Sequence, residues 1–213
     1  MARLLLLAAP ALIAALALKT GTVPLKTGVA LTNALILLFA LRGILGRYLP
    51  ALAVVAALSV SAVGDYFLST KGTSVTRFVI GIGAFLLAHL GYLVFALLEG
   101  RLTPLALGVL LAVYLPYFLF GLRRAIRDPA LSAAALVYLL ASCVTFAAAF
   151  GIRLDPAPKA FFVAGVALIV VSDTIISFKE FLGWKRVEWL ILPTYYLAHI
   201  SIVLSLLLWG LGG

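Results

Sequence analysis

Acidic residues are scarce in this chain. Its 213 residues include seven Asp or Glu against sixteen Lys or Arg, and charged residues together make up 11%, where a soluble domain carries about a quarter. Cysteine is scarcer still, with Cys143 alone. One cysteine excludes an intrachain disulfide, and its place in an apolar run disfavours a reactive thiolate. Neither a His-Glu-x-x-His pattern nor a cysteine pair is present, so zinc sites of those types have no support. The chain also lacks a Gly-x-Ser-x-Gly elbow and a Walker loop, which disfavours a serine hydrolase or an NTPase of those kinds. Long polar stretches are missing as well, leaving no room for a soluble domain.

What fills the chain is apolar. Hydrophobic residues make up 65% and the mean hydropathy is +1.25, so lipid is the expected solvent and the bilayer the expected partner. Several runs reach the roughly 20 residues that a helix needs to cross the hydrocarbon layer. The alternating segments of about ten residues that mark a barrel are absent, which leaves helices. Gly, Pro and charge divide the chain into apolar segments at 3–18, 28–45, 49–70, 74–98, 103–122, 130–151, 159–180 and 188–210. The expectation is an all-α integral membrane protein. It is a single polytopic domain over residues 1–213, a bundle of about eight transmembrane helices. The first segment has Arg3, an apolar core and Ala15-Leu16-Ala17, features shared with a signal peptide; it is read here as a first helix.

The net charge of +9 is scattered between the apolar runs. That is an interfacial pattern and gives no support to nucleic-acid binding. Ten Lys and Arg follow helices 1, 3, 5 and 7, and six lie on the opposite side, which favours both termini outside the cytoplasm. Alanine richness and short loops suggest a bacterial inner membrane protein. Nothing in the pattern specifies an oligomeric state.

Two acids stand apart, Asp65 in AVGDYFLS and Asp173 in VVSDTIIS, each inside an apolar run. A carboxylate at such depth costs about 2.5–3.5 kcal/mol on insertion scales and is kept for pairing or function. Glu99, Asp128, Asp155, Glu180 and Glu188 all fall in expected loops or helix ends. At about 1.5 Å per residue, Asp65 lies roughly 8 Å past the middle of helix 3 and Asp173 roughly 5 Å past the middle of helix 7. Both helices run the same way, so both carboxylates displace toward the more basic face. His89 and His199 share this depth band. Asp65 to His89 is 24 positions and Asp173 to His199 is 26, a spacing that suggests two four-helix halves with a site at their interface.

Each acid has polar company on its own helix face. Ser61, Asp65 and Ser69 align at one-turn steps, as do Asp173 and Ser177. Phe78, Gly81, Phe85, His89 and Tyr92 form one stripe of helix 4, while Tyr195 and His199 lie one turn apart on helix 8 beside Tyr196. Ser, Tyr and His inside membrane helices commonly serve packing and interhelical hydrogen bonds, and Tyr114, Tyr117 and Tyr138 are read that way. Each Asp could also lock to Lys26 or Arg77. Two acids at one depth argue instead for an acid/base pair.

The ordered set GDYFL, then F-x-x-G-x-x-x-F-x-x-x-H-x-x-Y from Phe78 to Tyr92, then VSDTIISF and YYLAH, resembles the YhhN-type lysoplasmalogenase family over most of the chain. The resemblance implies about eight helices and hydrolysis of the vinyl-ether bond of lysoplasmalogens, giving a fatty aldehyde and a glycerophosphoethanolamine or glycerophosphocholine. Carried over by motif, Asp65 and Asp173 are the catalytic aspartates, and His89 and Tyr92 the helix-4 pair. The chain departs from the family pattern at His199, where Gln is expected, and at Val23-Pro24-Leu25-Lys26, a loose match to a Lys-Pro-Leu-like segment.

Vinyl-ether hydrolysis needs an acid, a nearby negative charge and a base for water, tasks that two carboxylates can divide. Asp65 and Asp173 are expected to do so, with His89, Tyr92, Tyr195, His199, Ser61 and Ser177 orienting water or substrate. Lys26, Lys71 or Arg77 would meet the lysophospholipid's phosphate. No cofactor or metal is required. The competing readings are a metal-dependent, ceramidase-like lipid amidase or esterase, and a proton- or ion-coupled transporter, for which intramembrane acids are equally natural.

Overall fold

A computed structural model describes residues 2–40 and 49–210. Among them the regular structure is helical apart from one isolated antiparallel bridge between Gly100 and Ile152. After a single turn at Ala2–Leu5 come eight segments: α1 (Ala8–Thr20), α2 (Val23–Ala40), α3 (Leu49–Ser69), α4 (Val75–Leu98), α5 (Pro104–Ala125), α6 (Pro129–Phe150), α7 (Pro156–Leu182) and α8 (Lys185–Trp209). Seven are long and apolar enough to cross a membrane. The exception is α1, whose 13 residues rise about 20 Å against a hydrocarbon layer of about 30 Å.

Local chemistry sets the boundaries. Pro104, Pro129 and Pro156 open their helices at the position where a missing N–H costs nothing. Asp128 accepts from the Ala130 and Leu131 amides at 2.8 and 3.2 Å, and Ser74 from the Arg77 amide at 3.3 Å. Gly21 and Gly183 end α1 and α7 in the left-handed region, at φ 68° and 71°. Helix α2 begins at Val23 rather than the expected 28, because Pro24 falls in the first turn, where a helix tolerates it. The expected end at 45 lies outside the described residues. Helix α8 begins with a 3₁₀ stretch at Lys185–Leu190.

The tightest pairs are α3 with α4 and α7 with α8, and glycines allow both. A Cβ at Gly91 would lie 2.8 Å from the Ala53 carbonyl and from Ala57, and one at Gly165 would lie 2.6 Å from Ile202. Small residues at such crossings let backbones approach where lipid offers no hydrophobic drive. Helix α2 bridges α3 and α8, and α6 bridges α4 and α7. Helix α5 is peripheral, with no buried residue from Pro104 to Pro116, then switches to π-helical turns over Tyr117–Leu122. Lys71, just after α3, pairs with Glu180 near the end of α7 at 2.9 Å, so these two helices end on the same side. On the opposite side the Arg153 amide donates to the Glu99 carbonyl at 2.9 Å.

Candidate active site

Helices α3 and α7 carry Asp65 and Asp173 into the bundle, and each acid bonds a residue of the other helix pair. Tyr195 of α8 donates to Asp65 Oδ2 across 3.2 Å. His89 Nε2 of α4 lies 2.8 Å from Asp173 Oδ2 and 3.3 Å from Ser142 Oγ of α6. The acid of each pair thus reaches the second helix of its counterpart. Asp65 is 7% exposed and His89 1%, while the Asp173 side chain retains 15%. Gly64 makes room for this arrangement, since a Cβ there would sit 2.9 Å from the Phe85 ring. Phe85 in turn packs edge-on against Tyr195, with 5.7 Å between centroids.

Between the acids lies a cavity of about 10 Å³ lined by Ser61, His89, Tyr92, Tyr138, Asp173, Tyr195 and His199 among others. That is about the space one water molecule occupies. Of the side chains lining it, Tyr92 Oη, Tyr138 Oη, His89 Nδ1 and both His199 nitrogens are buried without a hydrogen-bond partner, and buried polar atoms are seldom left so. His199 packs at a tilt against Tyr195, 4.2 Å between centroids, and Tyr138 meets His89 edge-on at 5.3 Å.

A larger cavity of about 90 Å³ lies between α4, α5, α6 and α7 and shares Asp173 and Tyr138 with the small one. Its walls include Phe78, Ile82, Leu131 and Leu139. Two hydroxyl pairs tie the peripheral α5 to α7 along its side: Tyr114 with Thr174 at 3.0 Å and Tyr117 with Ser177 at 2.6 Å. The π-helical turns begin at Tyr117, and such turns recur at functional sites.

Of the residues singled out in the sequence, Asp173, His89, Tyr92, Tyr195, His199 and Ser61 line the small cavity, with Asp65 one hydrogen bond behind Tyr195. Ser177 faces the larger cavity instead. Lys26 stands in the first turn of α2. Lys71 is engaged with Glu180, and Arg77 Nη1 donates to the Thr70 carbonyl at 2.8 Å. Sequence reasoning missed the part played by Tyr138 and Ser142. Their one-turn spacing on α6 is the available signal, although the sequence by itself reads Tyr138 as structural. Among the described residues no three His, Cys, Asp or Glu side chains gather where a metal ion could be held.

Long apolar helices packed around a buried cluster of carboxylate, imidazole and phenol groups define a multi-pass membrane protein with an internal polar site. The chain belongs to the YhhN family, whose model matches residues 7–206, nearly its full length. Neither the curated proteins nor the solved structures contain a match to it.

Proposed function

We propose that this protein is a membrane hydrolase that cleaves the vinyl-ether bond of lysoplasmalogens, working in a bacterial inner membrane. The observation that carries this reading is the juxtaposition at Asp173. One carboxylate borders both a one-water polar cavity and a larger, mostly apolar one. A hydrolase acting on a lipid needs such a junction, with water on one side and substrate on the other.

The reaction divides between the acids. Asp173 takes the role of the acid in this reading: it gives a proton to the outer vinyl carbon, and the ether carbon becomes an oxocarbenium ion. Water held by His89, Tyr92 and His199 adds to that carbon and gives up a proton, which passes through the Tyr195 hydroxyl to Asp65. The hemiacetal then collapses: its hydroxyl proton passes to Asp173, the carbon–oxygen bond to glycerol breaks, and the glycerol oxygen takes the proton that Asp65 returns through Tyr195. The sum is lipid plus water to aldehyde plus glycerophospho-head-group. Both carboxyls are thereby restored for the next cycle, and His89, bonded to Asp173, holds that carboxyl in place. General acid–base groups of this kind contribute about 10²- to 10⁴-fold each.

The test is aldehyde release by purified protein from a 1-alkenyl lysophospholipid, with the 1-acyl analogue as control. Aldehyde from the first and no fatty acid from the second is the expected result. Failure of both, with uptake of a solute or ion by reconstituted vesicles, would replace the enzyme with a transporter.

A further inference from the structure

The Lys71–Glu180 ion pair lies beside the larger cavity, behind the Phe78 ring that lines it. The two side chains are only 26% and 19% exposed. Lys71 Nζ stands 5.4 Å over the Phe78 ring, and Phe78 packs edge-on against Phe181 at 6.0 Å. Both rings line that cavity. We propose that this pair reads the lipid headgroup, its lysine taking the phosphate and its glutamate the ammonium of a zwitterionic, ethanolamine-type lysolipid in preference to an anionic one. The proposal rests on the reading above that a single-chain lipid occupies the larger cavity with its reactive bond at Asp173.

Helix α7 supplies the spacing. Asp173, Ser177 and Glu180 lie at i, i+4 and i+7 and share a face. Asp173 and Glu180 are therefore separated by about 10 Å of helix rise. In the lipid, some nine bonds run from the vinyl-ether oxygen to the ammonium nitrogen, roughly 11 Å when extended. The free glycerol hydroxyl falls between those ends, as does Ser177 with its 2.6 Å partner Tyr117. A zwitterion exchanges one ion pair for two and leaves no charge without a counterpart. An anionic headgroup offers Glu180 no cation and adds a like charge beside it. Partial burial limits how far solvent and salt screen the difference.

The experiment measures binding of non-hydrolysable 1-alkyl lysolipids, which separates headgroup recognition from catalysis. Dissociation constants for the ethanolamine and glycerol headgroups are compared in detergent-solubilised wild type, Glu180→Gln and the charge-reversed pair Lys71→Glu/Glu180→Lys, which retains an ion pair as a control on folding. Wild type should favour the ethanolamine headgroup, and Glu180→Gln should shrink that preference about tenfold, the worth of a hydrogen bond to a charged group. The reversed pair should lose the preference while remaining folded. An equal preference in all three proteins overturns the proposal, as does no preference in wild type. Equal competition by a diacyl lipid of the same headgroup also overturns it, because the pair would then be reading bulk bilayer. If binding follows the expected pattern and no vinyl-ether lipid yields aldehyde, the headgroup reader stands and the proposed reaction falls.

Discussion

A carboxylate inside a membrane bundle is defined by what it bonds, and here the two acids differ in their partners. Asp65 accepts from a phenol, whereas Asp173 meets an imidazole and keeps a border with the larger cavity. In the proposed proton path Tyr195 links Asp65 to the water, so Tyr195→Phe should lower kcat about tenfold to a hundredfold, with less change in KM. A purified variant with unchanged kcat would remove Tyr195 from the proton path. The two acids were legible in the sequence because their burial is so costly that few explanations remain. Tyr138 and Ser142 were not, because a hydroxyl pair one turn apart serves ordinary interhelical hydrogen bonding equally well. Only the approach of α6 to His89 distinguishes them, and that approach is a tertiary fact. Lys71 shows the same limit, since its partner Glu180 lies 109 positions away.

At the scale of elements, close contact between α7 and α8 holds Asp173 and Tyr195 in register. Gly165→Ala should force the two helices apart, because its new Cβ would meet Ile202 and the Ala198 carbonyl at 2.6 and 2.9 Å. A loss of about 1–3 kcal/mol is the usual cost of such overpacking. Gly83→Ala, with nothing within 4 Å of its Cβ, should leave the melting temperature unchanged or slightly higher, since alanine favours a helix. Thermal unfolding in detergent compares the two, and equal melting temperatures would contradict the packing argument. Helix existence and order followed from hydropathy alone. The start of α2 did not, because Pro24 reads as a breaker until it is seen to fall in a first turn. The π-helical turns after Pro116 leave no mark in an all-apolar stretch.

For the whole molecule, the pairing of Lys71 with Glu180 on one side and the Gly100–Ile152 bridge on the other sets α3 and α7 parallel. That agrees with the odd-numbered helices running the same way. The ten-to-six excess of Lys and Arg on the first of these sides predicts that it faces the cytoplasm. A phosphatase fused after residue 210 should then be active in the bacterial periplasm, and a fluorescent fusion there dark. The opposite pattern would invert the orientation and place the headgroup-reading rim on the outer face. The acids cross between the two helix pairs, α3 to α8 and α7 to α4. The histidines do not follow the same rule, because Asp65 meets Tyr195 rather than His199.

The most direct test of the paired-acid account is hydrolysis of a 1-alkenyl lysophospholipid in heavy water by wild type, Asp65→Asn and Asp173→Asn, with the aldehyde trapped as it forms. Proton transfer to carbon predicts one deuterium on the carbon beside the aldehyde and a loss of about a hundredfold or more in each variant. Wild-type rates in either variant, or an aldehyde free of deuterium, would contradict it.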